Sequence, residues 1–289
     1  MGARWNGICV GQEKNFVTLG KKAYLRGDKR LTTMSVLYDN FIFGPIRSRR
    51  LGLSLGINLL PVDCKLCSFN CIYCECGWTL GGQKPRFNDK KAVLAMLESV
   101  LGEMVAEGTP PDVLTFAGNG EPTMHPDFEE IVEGVIALRD RLCPNAKVSV
   151  LTNATMLHRE SVRRALMRVD NPILKLDSAF DKTAQQIDKP LGNYSVAKVV
   201  EQMKLFGGNC IVQTMFLRGE FEGERVDNAT PEEVEAWLKL VEEIAPRSVM
   251  VYTIDRDTPA PNLEKVPVEE LKAIAERVRA LGIECSVAG

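Results

Sequence analysis

Five cysteines, Cys64, Cys67, Cys71, Cys74 and Cys76, fall within thirteen consecutive positions of a 289-residue chain that holds nine cysteines in all. A disulfide framework spreads its cysteines, whereas thiols crowded together in a reducing compartment read as metal ligands or catalysts. The string CSFNCIYC sets Cys67, Cys71 and Cys74 at spacings that let a loop wrap three thiolates around one corner of an iron–sulfur cube. A [4Fe–4S] cluster normally takes four cysteines. Three leave one iron open, and an open iron can chelate the amino and carboxylate groups of a small molecule. Two zinc pairs, Cys64 with Cys67 and Cys71 with Cys74, would be separated by only three residues, against about 12 or more in structural zinc sites. An electron carrier would recruit Cys64 or Cys76 as a fourth ligand. The isolated Cys9, Cys143, Cys210 and Cys285 read as small buried hydrophobes.

A second group of chemistry-bearing residues lies in AGNGEPTMHPDF, where Gly118, Asn119, Gly120, Glu121 and Pro122 stand between a strand-like run and a helical pattern. Glycines there let the backbone approach a ligand, and Glu121 offers a carboxylate acceptor for an ammonium group. Lys175 and Asp177 close another strand-like run. Alternation puts both on one face, and charges facing a barrel interior need partners or a ligand. A buried Lys175–Asp177 pair without a ligand is the plainer alternative. Arg47, Arg49 and Arg50 read either as anion binders or as a solvated turn. Asp255 and Arg256 read as substrate contacts or as a pair closing the barrel. His125 and Trp78 read as packing residues.

These groups need a scaffold that brings them together. From about residue 52, short apolar runs alternate with helical patterns, the mark of repeated β/α units and a parallel sheet. Strands are expected at 53–60, 113–116, 148–151, 173–176, 211–216 and 249–253, enough for a partial (β/α)6 barrel of the α/β class. Each chemical group follows the C-terminal end of such a strand, the rim on which barrel sites form. The helix after the cysteine loop is expected to start at an Asn88 cap, turn Val93, Leu97, Leu101 and Met104 inward, and end at Gly108. Further helices are expected near Pro126, with Ile131, Val135, Leu138 and Leu142 inward, at a Thr230–Glu233 capping box, and near Pro267. An edge strand at 283–287 would close the chain. The polar stretch 217–229 is expected as a loop, either a lid over the site or solvated surface. Residues 1–33 have no sustained period and read as a flexible extension before one domain over 34–289.

A net charge of −2 and a pI near 5.9 supply no global basic field for nonspecific nucleic-acid binding. There is no run of about 18 apolar residues and no apolar secretory segment, which points to a cytoplasmic protein with no membrane partner.

The cysteine loop, with Tyr73 immediately before its last cysteine, and the NGEP turn one β/α unit later together resemble the radical S-adenosylmethionine (SAM) superfamily. That resemblance implies a [4Fe–4S] cluster on Cys67, Cys71 and Cys74, with SAM chelated to the open iron. It implies SAM contacts at Tyr73, Gly118, Asn119, Gly120, Glu121, Asn153 and Asp177. Asn119 stands where the superfamily's "GGE" motif has a glycine. Lys175 is a candidate substrate or proton-donor residue. The implied reaction is reductive cleavage of SAM to methionine and a 5′-deoxyadenosyl radical that abstracts hydrogen from a substrate, fed by an electron donor such as flavodoxin or ferredoxin. Over residues 44–286 the motif order looks like small Fe–S oxidoreductases related to wyosine synthases. Those enzymes modify a tRNA guanine and carry a second cluster on cysteines before the loop, where this chain has only Cys9 and Cys64. Glycyl-radical activating enzymes are a second relation. The substrate, whether small molecule, peptide or RNA, has no readable code. An Fe–S electron-transfer or metal-binding protein stands as the alternative of another class.

Overall fold

The computed structural model describes residues 21–23, 36–48, 52–79 and 85–289. Two short strands, β1 (Lys21–Ala23) and β2 (Val36–Tyr38), pair antiparallel ahead of the main sheet. The rest of the expected extension over 1–33 lies outside the described residues. Strand β3 (Ile42–Ser48) runs antiparallel to β4 (Gly52–Ile57). From β4 onward the chain alternates: α1 (Lys90–Ala106), β5 (Val113–Phe116), α2 (Phe128–Leu142), β6 (Lys147–Thr152), α3 (Glu160–Arg168), β7 (Asn171–Lys175), α4 (Asp181–Ile187), α5 (Val196–Lys204) and β8 (Ile211–Met215). A hairpin of β9 (Leu217–Phe221) and β10 (Glu224–Asp227) follows, then α6 (Pro231–Ile244), β11 (Ser248–Tyr252), β12 (Leu263–Lys265), α7 (Val268–Ala280) and β13 (Glu284–Ala288).

The main sheet has eight strands in the order β13-β11-β8-β7-β6-β5-β4-β3, all parallel except β3. It curls into a half-barrel open between β3 and β13. All six expected strands are present, and the expected edge strand is β13. The antiparallel β3 completes the opposite edge. Strands covered on both faces carry near-continuous apolar runs, and every residue of β5 and of β8 is buried.

Helix α1 buries Val93, Leu97, Leu101 and Met104, the face that its periodicity marks. Its cap is Asp89, whose side chain accepts from Ala92 N, and not Asn88. Asn88 is drawn off by the tertiary fold, donating to the carbonyls of Asn58 and Leu60. On α2, Ile131 and Val135 are buried, while Leu138 and Leu142 are only partly covered. Thr230 caps α6 by accepting from Glu233 N. The Glu233 carboxylate completes no capping box, because it turns inward to accept from Ser178 and Thr183. Residues 217–229, expected as a loop, form mostly the β9–β10 hairpin, with β12 pairing on its other side. Cross-strand pairing satisfies a polar backbone that composition alone reads as irregular. Cys143, Cys210 and Cys285 are buried as small hydrophobes. Among the described residues no helix is long and apolar enough to cross a membrane.

Leu97 is fully buried where α1 meets the sheet. Leu97→Ala is expected to cost about 2–5 kcal/mol of stability. Denaturant unfolding should show this as a lower midpoint at unchanged slope.

Candidate functional site

Residues 58–79 leave β4 and cross the C-terminal rim with almost no regular structure. Buried backbone without secondary structure must find its hydrogen bonds elsewhere, and here the rim supplies them. Leu66 N donates to Asn119 O at 2.9 Å and Glu121 N donates back to Leu66 O at 3.1 Å, forming a parallel bridge between Leu66 and Gly120. On the other side Asn70 N donates to Asp188 O, Ile72 N to Ile187 O, and Leu191 N to Ser68 O.

The glycines of the NGEP turn are explained by this closeness. Gly120 has φ +141°, and a Cβ there would lie 1.8 Å from Leu66 O. Gly118, at φ +129°, would drive a Cβ into Asn58. The close approach expected for a ligand is therefore, in this structure, an approach of the chain to itself. Asn119 is wholly buried: its Oδ1 accepts from Tyr38 N, and its Nδ2 donates to the carbonyls of Tyr38 and Pro61. Its side chain staples β2 and the start of the cysteine loop to β5. It leaves only backbone for a ligand.

Glu121, expected to accept from an ammonium, is 2% exposed. It accepts from Thr123 N at 3.0 Å, Thr123 Oγ1 at 2.5 Å, Thr152 Oγ1 at 2.7 Å and Asn153 N at 2.6 Å. Three of these donors converge on Oε1 and one reaches Oε2, so the carboxylate is engaged chiefly by the chain itself. Burial pushes its carboxyl above the usual range, against the pull of those bonds. Glu121 thus joins the ends of β5 and β6. Asn153, the first residue beyond β6, turns its amide to the cysteine loop, with Nδ2 donating to Ser68 Oγ at 2.9 Å and to Cys67 Sγ at 3.6 Å.

Of the five clustered thiols, Cys71 is buried and the others are half-buried. Cys76 donates to Gly118 O at 3.3 Å and lies against Cys74. The Cys74 thiol is lowered to about 5, first by its contact with Cys76 and further by Lys65. Burial pushes Cys67 up to about 12. Cys64 stands apart, beside Asp63 and Arg86. Lys65 is 5% exposed, donates to Gly77 O at 2.8 Å, and has no carboxylate partner among the described residues. Burial works against its charge, yet Cys74, Cys67, Cys71 and Cys76 hold it above its ordinary value. A buried ammonium set among cysteines that would become thiolates on iron fits an anionic metal–thiolate centre. Among the described residues no three His, Cys, Asp or Glu side chains gather as they would around one ion. A cube asks for something else, one thiolate on each of three irons, and the trio's chemistry and loop placement fit that group.

Next to Cys71 lies a buried charge cluster. Lys175 contacts the Asp177 carboxylate and Tyr73 Oη, and its Nζ is 2.8 Å from Asp188 Oδ1. Tyr73 donates to Asp177 Oδ2 at 2.5 Å, and Met215 N donates to Asp177 Oδ1 at 2.9 Å. The Lys175–Asp177 ion pair of the plainer reading is thus present, and it is larger than a pair. Burial opposes the charge on Lys175, but Asp177 and Asp188 outweigh it and hold the ammonium well above its usual value. Asp188 is pushed up to about 7 by burial, with Lys175 pulling the other way. Sequence reading passed over Asp188. Its one signal is position: it is the C-cap of α4, where an acid faces the negative end of the helix dipole and calls for another reason to be there.

The remaining expectations separate. His125 bonds Asn88 O through Nε2, accepts from Asp127 N, and packs edge-on against Phe87, so it is structural. Arg256 pairs with Glu75 of the cysteine loop at 2.6 Å, with the Asp255 charge also acting on it. Arg47 is exposed on β3, while Arg49 and Arg50 lie outside the described residues. Trp78 packs near Phe221 of the hairpin, with ring centroids 6.0 Å apart. The two rings line a cavity of about 600 Å³ together with Asn70, Lys189, Pro259 and Pro261.

The family model described as the Radical SAM superfamily matches residues 63–231, more than half of the chain. The chain is 35% identical over 181 residues to the UPF0026 protein of Methanocaldococcus jannaschii, covering 61% of this chain and 53% of that protein. It spans 35% of the GTPase Obg of Brachyspira hyodysenteriae, at 30% identity, and 56% of a UPF0026 protein of Helicobacter pylori, also at 30%. In fold it is similar to a radical SAM methyltransferase from Sphaerobacter thermophilus, with a TM-score of 0.60 at 14% identity over 81% of this chain and 65% of that one. Archaeal TYW1 gives a TM-score of 0.50 at 12% identity over 78% of this chain and 71% of that one.

Removing one member of a buried ion cluster strands the others without a counterion. Lys175→Met is expected to destabilise the protein by about 3–5 kcal/mol. Adding Asp188→Asn to that variant should recover part of the loss in denaturant unfolding.

Proposed function

The chain belongs to the radical SAM superfamily, and from that premise we propose that it cleaves SAM reductively at a [4Fe–4S] cluster held by Cys67, Cys71 and Cys74. The observation that carries this reading is the buried Lys65 ammonium, set among the clustered cysteines, with no carboxylate partner among the described residues, on a loop pinned to the strand rim. When bound, the cluster supplies an open iron for SAM and the electron that splits it into methionine and a 5′-deoxyadenosyl radical.

The chain's own residues bind, orient and exclude water. Asn119 and Glu121 act one step back from the cofactor, locking the rim so that the Gly118–Glu121 backbone keeps its place. Tyr73 and Asp177 are the proposed side-chain contacts for SAM. Lys175 holds a proton between Asp177 and Asp188, and it is the proposed substrate-facing or proton-donating group. The cavity walled by Trp78, Phe221 and Pro259 is the proposed substrate mouth. Its apolar wall, its glutamates Glu220 and Glu222, and the net charge of −2 favour a small molecule or peptide over RNA. A one-electron protein donor, flavodoxin or ferredoxin, is the proposed partner.

One observation favours a second reading. Cys76 lies against Cys74 and could complete a four-thiol, electron-carrying cluster.

Anaerobic reconstitution with iron and sulfide, followed by dithionite and SAM, separates the two. We expect 5′-deoxyadenosine from the parent chain and none from Cys67→Ala, Cys71→Ala or Cys74→Ala. Cys64→Ala and Cys76→Ala should keep a SAM-binding cluster. A parent cluster that binds no SAM and is lost in Cys76→Ala would establish the electron carrier instead.

A further inference from the structure

We infer that Asn153 sets the reduction potential of the cluster through an N–H···S hydrogen bond to Cys67, an inference that rests on the cluster assignment above. The amide is held at both ends. Its backbone N–H is fixed by Glu121 Oε2 at 2.6 Å, which anchors the residue at the end of β6. Its Oδ1 accepts from Thr155 N at 3.1 Å and from Thr155 Oγ1 at 2.7 Å. A backbone N–H can only donate, so the atom facing it must be the amide oxygen, and the two ends of the side chain are assigned without ambiguity. The nitrogen then has to face the cysteine loop, where its two N–H groups meet Ser68 Oγ at 2.9 Å and Cys67 Sγ at 3.6 Å, a reach suited to the large radius of sulfur.

Such a donor matters more to the reduced cluster than to the oxidised one. Reduction adds negative charge that spreads onto the sulfurs, and the positive end of an N–H dipole stabilises it. The effect grows in a site shielded from water, and Asn153 is 7% exposed. Hydrogen bonds to the sulfurs are among the factors that place iron–sulfur potentials over their wide range. Phe69 N also donates to Cys67 Sγ, at 3.4 Å, but as backbone it is not open to side-chain variation. Asn153 is the adjustable donor. It is a positioning and tuning residue, with its amide fully engaged by the chain.

The test uses the full chain reconstituted with iron and sulfide, without SAM. Iron and sulfide content is measured first, and the midpoint potential is then read by electron paramagnetic resonance during a dye-mediated titration. Asn153→Ala is expected to lower the midpoint by a tenfold change in the oxidised-to-reduced ratio, about 59 mV for one electron. Asn153→Asp keeps the bonds to Thr155 and turns an oxygen toward the sulfur, so it should lower the midpoint further. Ser68→Ala removes the other acceptor and leaves the N–H on Cys67, so it should titrate like the parent. A parent chain that takes up no cluster would overturn the cluster assignment and not the tuning argument. With the parent loaded, an unchanged midpoint in either Asn153 variant overturns the inference. So does a Ser68→Ala shift equal to that of Asn153→Ala. Loss of the cluster from both Asn153 variants would make the residue an assembly element and overturn the tuning role as well.

Discussion

The bridge between Leu66 and Gly120 is the contact on which the site depends. A loop that spreads three cysteines must be irregular, and an irregular loop has no internal ladder to hold it rigid. The structure resolves this by extending the sheet's own hydrogen bonding outward. Leu66 pairs in parallel with Gly120, four residues past the end of β5, as though the loop were a further piece of strand. This demands that Gly120 have no side chain, since Leu66 O occupies the place of its Cβ. Asn119 and Glu121, on either side, lock the same junction from above and below.

Charge is arranged around that loop in two layers. Lys65 stands among the thiols with no carboxylate partner among the described residues, and Lys175 stands one contact further off with two acids and a phenol. The contrast is informative. Buried ammonium groups are costly unless paired, and the cysteines around Lys65 would supply that pairing as thiolates. The Lys175 cluster, by contrast, is balanced by its own acids and lies against Cys71 of the loop. Cys71 and Asp188 join the layers.

The hairpin of β9 and β10 gives the site its outer boundary. Its inward residues join Ile72, Ile187 and Ile254 in a small apolar cluster, separate from the main core and resting on the cysteine loop. That cluster shields the loop from one side. Where the hairpin turns away, Trp78 and Phe221 leave an opening.

Much of this was legible in the chain itself. Strands read as apolar runs because parallel strands are covered on both faces, and α1 read correctly because one face repeats every three to four residues. The cysteine spacing marked the loop as a candidate metal site because thiols so crowded have few other uses. What sequence could not convey was partnership across distance. Asn119, Glu121 and Asn153 read as cofactor contacts because each is polar and sits at a strand end, and only the packed structure engages their side chains with Tyr38, Thr152 and Cys67. Asp188 was hidden for the same reason: its partners Lys175 and Cys71 lie on other elements. Local pattern determines which residues form strands and helices and which can do chemistry. Tertiary structure decides which of them are free to do it, because a buried polar group must bond to whatever the fold brings within reach.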